Sequence, residues 1–121
     1  MLRFVILHHV RAEPGDSHYD WLFEVDGDGP LQTWAVDHAI SAEQACDVPC
    51  RSLAPHRREY LSYEGPIGGD RGVVAQWEVG TFSLLDQGPD CFRATLCGSR
   101  LRGRVEFVVC DQQWRLRWIP A

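Results

Sequence analysis

The chemistry-bearing residues of this chain gather near its start. In Ser17-His18-Tyr19-Asp20-Trp21-Leu22-Phe23-Glu24, polar residues alternate with aromatic and aliphatic ones, the period-two pattern of a half-buried strand. Side chains two apart on a strand share a face, so His18 and Asp20 fall on one side and Tyr19, Trp21, Phe23 and Val25 on the other. An imidazole and a carboxylate held side by side on stiff backbone make a half-site for a divalent metal. Such a metal needs a third ligand from a neighbouring strand, and the run Arg3-Phe4-Val5-Ile6-Leu7-His8-His9 just upstream offers one. The plainer reading is a surface His–Asp pair at a strand start, because a short motif alone has little specificity.

The elements that must position these residues read mostly as strands. Residues 3–9 form the first, with Val5, Leu7 and His9 on one face and Phe4, Ile6 and His8 on the other. A loop over 11–17 carries Pro14-Gly15, and the second strand runs over about 18–26. Asp26-Gly27-Asp28-Gly29-Pro30 is a turn, and Leu31–Val36 returns as a third strand. The stretch 37–50 holds the helical piece, with Ser41 capping a short turn and Pro49 stopping it. The polar run Pro55–Tyr60 carries a second short turn, strand character resumes at Tyr60–Tyr63, and 65–72 is a glycine-rich loop. Strands then follow over 73–80, 81–85, 91–97, 101–110 and 114–119. The expected fold is mainly β, a small antiparallel barrel of about eight strands with one or two short helices within 37–60, in a single domain over 1–121.

Composition narrows the function classes. No apolar run approaches the roughly 20 residues of a membrane span, and Met1–Leu7 is too short and too soon polar for a secretory signal, so no membrane association and a cytoplasmic location are expected. The five cysteines lack a paired framework and read as reduced structural thiols rather than a zinc site at Cys46 and Cys50. The net charge of −5 is uneven: residues 1–90 carry −9 and residues 91–121 carry +4. All 12 basic residues are Arg, which suits bidentate phosphate contact, whereas the acidic total argues against wrapping long duplex DNA. Recognition of a short terminus is compatible with this balance.

Taken in order, several segments resemble one family. They are Phe4-Val5-Ile6-Leu7-His8-His9, then His18-Tyr19-Asp20-Trp21-Leu22-Phe23-Glu24, then Thr33-Trp34-Ala35-Val36, then His56, Tyr60 and Glu64-Gly65. The glycine loop Gly68–Gly72, the segment Gln76-Trp77-Glu78-Val79-Gly80-Thr81 and the ending Leu96-Cys97-Gly98-Ser99-Arg100-Leu101-Arg102-Gly103 complete the set. The ordered set resembles the 3′-phosphoesterase domain of bacterial DNA ligase D, which also occurs as a small stand-alone protein.

That resemblance implies a manganese-dependent hydrolase that removes a 3′-terminal ribonucleoside and then the 3′-phosphate from nucleic-acid ends in DNA repair, with its site in a crevice on one side of a small β-barrel. The implied partners are primer-template or nicked DNA and separate ligase, polymerase or end-joining proteins. By match to the family pattern, His9, His18 and Asp20 are the metal ligands, with zinc or cobalt as alternatives to manganese, and His56 and Tyr60 sit near the scissile phosphate. In such a site the ion activates water and neutralises charge at phosphorus, a His donates a proton to the leaving oxygen, and a phenol and a guanidinium hold the remaining oxygens.

The chain also departs from the pattern. The family's Arg two residues after the Asp is Leu22, and its Pro-Lys after the Trp-Ala-Val segment is Asp37-His38, which leaves His38 as a weak substrate-binding candidate. The loop between His9 and His18 is about three residues longer, and the shorter glycine loop carries Arg71, a candidate to restore the missing cation. A second function class therefore stands beside the enzyme: a catalytically weak or inactive relative that binds a nucleic-acid end or another phosphate. His8, on the opposite strand face from His9, is expected to be structural or exposed. Most of the five tryptophans are expected in the core rather than on a base-stacking platform, and Arg93, Arg100, Arg102 and Arg104 read equally as a phosphate-tracking stripe or a solvated face.

Overall fold

The computed structural model describes residues 1–11 and 16–121, so most of the loop expected between the first two strands lies outside the described residues. Ten strands form one antiparallel sheet: β1 (Leu2–Val10), β2 (Ser17–Glu24), β3 (Leu31–Val36), β4 (Cys46–Pro49), β5 (Arg51–His56), β6 (Gly65–Pro66), β7 (Val73–Gly88), β8 (Cys91–Gly98), β9 (Arg102–Cys110) and β10 (Gln113–Pro120). The hydrogen-bonded path is β4-β10-β9-β8-β7-β1-β2-β3-β5, with β6 added to β7.

This sheet is not closed. Its two ends, β4 and β5, are consecutive in sequence and separated only by Cys50, yet no ladder joins them among the described residues. The Cys50 amide instead donates to the Trp114 carbonyl of β10 at 3.1 Å, so the chain steps from one end of the sheet to the other at a single residue. The sheet bends on itself around a main core. Trp34 of β3 stacks on Phe107 of β9 with ring centroids 4.3 Å apart and planes at 11°, although these strands are far apart along the path. Trp21, Phe23, Phe92, Leu101, Leu116 and Trp118 join them, each burying apolar area worth roughly 1.5–3 kcal/mol or more.

The second helical expectation fares better than the first. Residues 37–50 form no helix: Ser41 Oγ accepts the Glu43 amide at 3.2 Å in a bend, and the chain then enters β4. The described helix is one 3-10 turn at Arg58–Leu61, which replaces the strand expected over 60–63. The strands expected at 73–80 and 81–85 are one 16-residue strand, kinked where an extra residue falls between Leu84 and Asp86. The second strand stops at Glu24, short of Val25.

The largest difference concerns the outer face of β1 and β2. Period-two alternation predicts one wet face, but Leu22 and Glu24 are as buried as Trp21 and Phe23. Val5, Leu7, Leu22, Leu31 and Val74 make a second, smaller core there. The segment from the 3-10 turn to Ile67, just past β6, folds over it and contributes Tyr60, Leu61 and Ile67. A buried carboxylate fastens this cover. Glu24 takes hydrogen bonds from the Arg3 amide at 2.7 Å and Arg3 Nε at 3.1 Å, and is also paired with Arg58 Nη2. Arg58 Nη1 further donates to the carbonyls of Asp26 at 3.2 Å and Gly29 at 3.4 Å.

Candidate metal centre

Strand register brings the first three candidates together. In the β1–β2 hairpin His9 is paired directly with His18, and Leu7 with Asp20. Directly opposed side chains lie about 5 Å apart at Cβ, and diagonal ones remain within reach, so His9, His18 and Asp20 form a triangle on one face. Their donor atoms all lie within 4.8 Å of one another. His18 Nε2 is 3.0 Å from Asp20 Oδ1, and His9 Nδ1 is 3.5 Å from Asp20 Oδ2.

The ring of His9 is oriented from behind. Its Nε2 lies 2.6 Å from the Arg71 carbonyl, an atom that can only accept, so Nε2 carries the hydrogen and Nδ1 presents its lone pair toward Asp20. Arg71 reaches that position because Gly72 follows it at φ +102°, with its α-carbon against the Val10 carbonyl, where a Cβ would collide. The Ile67 amide closes the loop on the Gly72 carbonyl at 2.8 Å.

The residues present fit a divalent cation. Asp20 is only 3% exposed, and its Oδ1, though 3.0 Å from His18 Nε2, accepts no aligned hydrogen bond among the described residues. A buried carboxylate oxygen without a donor is costly unless a cation faces it. Two imidazole nitrogens and one carboxylate suit borderline first-row ions such as manganese, zinc or cobalt and leave positions open.

The triad forms one wall of a crevice of about 420 Å³. His56, Tyr60 and Arg71 line the same crevice, so six of the seven candidates share one space, over an apolar floor that includes Leu7 and Val74. His56 ends β5, an edge strand whose register slips by one residue between Leu53 and His56, beside Pro55. Its Nδ1 donates to the Ala54 carbonyl at 3.0 Å, which leaves Nε2 uncommitted. Tyr60 sits on the 3-10 turn with its ring centroid 6.0 Å from that of His56. Arg71 donates from Nε to the Gly68 carbonyl at 2.8 Å.

His38 is elsewhere. It lines a separate polar recess with Asp16, Ser17, Asp37 and Arg51, which among the described residues shares His18 alone with the crevice. There the hydrogen bond from Arg51 at 2.8 Å holds the Asp37 carboxyl below its usual range. Leu22 is also not a crevice residue: it is fully buried in the second core, one row beneath. Two lining arginines were not singled out from sequence, Arg11 and Arg57. The signal available for Arg57 was its place between His56 and Tyr60.

Other expectations resolve simply. Trp21, Trp34 and Trp118 are buried, with Trp77 and Trp114 packed at the edge of the main core. His8 stacks on Tyr19 with centroids 4.4 Å apart, on the face away from the triad. Arg93 pairs with Asp86 and Glu106, and Arg104 with Glu106, so much of the arginine stripe is internally neutralised. All five cysteines are free. No helix among the described residues is long and apolar enough to cross a membrane.

These features define an antiparallel β protein with a two-histidine, one-carboxylate cluster in an arginine-lined crevice. The chain is 30% identical over 112 residues to the multifunctional non-homologous end joining protein LigD of Mycobacterium bovis, and equally to the multifunctional non-homologous end joining DNA repair protein LigD of Mycobacterium tuberculosis. Each match covers 87% of this chain and 14% of the relative, so the chain spans about a seventh of the length of these proteins. The similarity supports reading the chain as a DNA ligase D-related domain. No family model matches the chain.

Proposed function

We propose that this chain is a metal-dependent phosphoesterase that processes nucleic-acid 3′ ends, removing a 3′-phosphate or a 3′-ribonucleoside in a DNA end-joining context. The observation that carries the reading is the gathering of His9, His18, Asp20, His56, Tyr60 and Arg71 around one crevice. Similarity to proteins named for non-homologous end joining supports the repair setting.

His9 Nδ1, His18 Nε2 and Asp20 would hold the metal, with manganese as first choice. Such an ion supplies Lewis acidity toward a phosphoryl oxygen. The remaining work belongs to the chain. In hydrolysis of a 3′-phosphate, a water oxygen bonds to phosphorus, the bond from phosphorus to O3′ breaks, and O3′ takes a proton. His56 would give that proton from Nε2 as an imidazolium, its Nδ1–H held on the Ala54 carbonyl, while one proton of the attacking water passes to the released phosphate or to solvent, from which the ring is reprotonated. The Tyr60 hydroxyl and the Arg71 guanidinium contact the non-bridging oxygens, and the Arg71 carbonyl keeps His9 in its metal-binding tautomer. A ligase, a polymerase or other end-joining proteins are the partners this role calls for.

The test combines calorimetric titration of manganese with an assay for conversion of a 3′-phosphorylated primer-template to a 3′-hydroxyl end. Asp20→Ala is expected to abolish both. Full-affinity manganese binding in Asp20→Ala removes Asp20 from the ligand set. Tight manganese binding without turnover on any 3′-modified end would favour the other reading, a phosphate-binding module.

A further inference from the structure

With Leu22 buried below the crevice, the cation that the resemblance places at that position is missing from it. Three arginines line the crevice instead, Arg11, Arg57 and Arg71. Arg71 has committed Nε to the Gly68 carbonyl, and Arg11 faces Asp16 at 3.8 Å.

Arg57 is held in another way. It is the N-cap residue of the 3-10 turn, with extended backbone at φ −64° and ψ 144°, between His56 and the anchored Arg58. Arg58 points down to buried Glu24, so the chain at 57–60 is fixed to the sheet. Arg57 lines the crevice and also the adjoining recess that Glu59 lines, with Tyr60 and Arg71 shared by both. Arg57 Nε lies 3.2 Å from Glu59 Oε1, and its Cζ is 6.0 Å from the Tyr60 ring centroid. Neither Nη group donates to a protein acceptor among the described residues. The side chain is 74% exposed, and so open an ion pair contributes little. A dianionic phosphate can therefore take the place of Glu59 at little cost, and it offers the bidentate geometry that a guanidinium prefers.

We propose that Arg57 is a substrate-binding residue, which holds the terminal phosphate through its two Nη groups and supplies the cation absent from position 22. The proposal rests on the crevice being a phosphate site, and its test separates the two ideas. Inorganic phosphate is titrated into the manganese-loaded protein, and kcat and KM are measured on a 3′-phosphorylated primer-template, for wild type, Arg57→Ala, Arg57→Lys and Glu59→Gln.

Losing one charge-assisted contact should weaken phosphate binding, and raise KM, about 10- to 100-fold in Arg57→Ala. Manganese affinity stays unchanged, Arg57→Lys recovers part of the loss, and Glu59→Gln binds phosphate as well as wild type or better. Wild-type turnover with phosphate binding and KM unaltered in Arg57→Ala overturns the assignment and leaves the phosphoesterase standing. Manganese-dependent phosphate binding that Arg57→Ala removes, without turnover in wild type, supports the assignment and overturns the hydrolase. A wild-type protein that binds no phosphate overturns both.

Discussion

The carboxylate of Glu24 links the sheet to the cover over the second core, and Glu24→Gln isolates that link because the side chain keeps its size. In the native protein Glu24 is 4% exposed and takes the Arg3 amide, the Arg3 guanidinium and Arg58 Nη2. The amide replaces one acceptor oxygen with an NH₂ group that faces donors, and it removes the charge both arginines answer. Removing one member of a fully buried ion pair costs about 3–5 kcal/mol. Here the arginine side chains are 57% and 29% exposed, so water recovers part of their solvation, and a loss of about 2 kcal/mol is expected. For a domain of this size that corresponds to a fall in Tm of roughly 6–10 °C.

The loss should be felt locally as well. The Tyr60 amide, which donates to the Arg57 carbonyl at 3.1 Å, should exchange its hydrogen faster. Manganese affinity should change little, since all three proposed ligands sit on β1 and β2. Thermal melting, hydrogen exchange and calorimetry on the two proteins make the comparison. An unchanged Tm with unchanged protection at Tyr60 would refute the anchor. Loss of manganese binding with the melting temperature intact would show that Glu24 acts on the cluster rather than on the cover.

Leu22→Arg is expected to destabilise by at least about 3 kcal/mol without raising turnover, because it gives up a buried leucine and places a guanidinium among Val5, Leu7, Leu31 and Val74; a well-folded variant with faster turnover would show that this side chain reaches the crevice. Gly72→Ala should lower manganese affinity about tenfold, by moving the Arg71 carbonyl off His9 when the new Cβ meets the Val10 carbonyl at φ +102°; calorimetry showing no change would remove that carbonyl from the support of the site. Alkylation followed by mass spectrometry should label exposed Cys97 first and Cys50 last at pH 8, since burial pushes the Cys50 thiol up to about 12 and only the thiolate reacts. Raising the pH to 9 should not bring Cys50 into reaction, and early labelling of Cys50 would contradict its burial.

What could be read from the sequence was whatever depends on neighbours in the chain. Alternation in His18–Glu24 put His18 and Asp20 on one face and the resemblance supplied His9, whereas the register that opposes His9 to His18 is set by the pairing of the two strands. Leu31–Val36 was found with its observed limits for the same reason. The strand at Cys46–Pro49 was missed because its extended state comes from pairing with Arg115–Trp118, nearly 70 residues away, and from Asp47 bridging Arg115 at 2.6 Å and Arg117 at 3.2 Å. Local propensity in 37–50 carries no trace of that partner. The sheet's open ends were equally hidden, since the step at Cys50 depends on a single hydrogen bond to Trp114.

The fate of position 22 shows why a shared strand face is not a shared environment. His18, Asp20, Leu22 and Glu24 all point to one side of β2, and a residue-by-residue reading of the motif sets Leu22 beside the phosphate. Depth along the strand separates them. The first two stand at the end where the cover stops and the crevice begins; the last two lie under the 3-10 turn that Arg58 holds to Glu24. A cation placed at 22 would have to compete with that turn for the same space. The pinned arginine at 58 and the exposed one at 57 are thus two sides of one arrangement. The first closes the lower face over leucine, and by doing so it presents the second to the crevice, beside His56 and Tyr60.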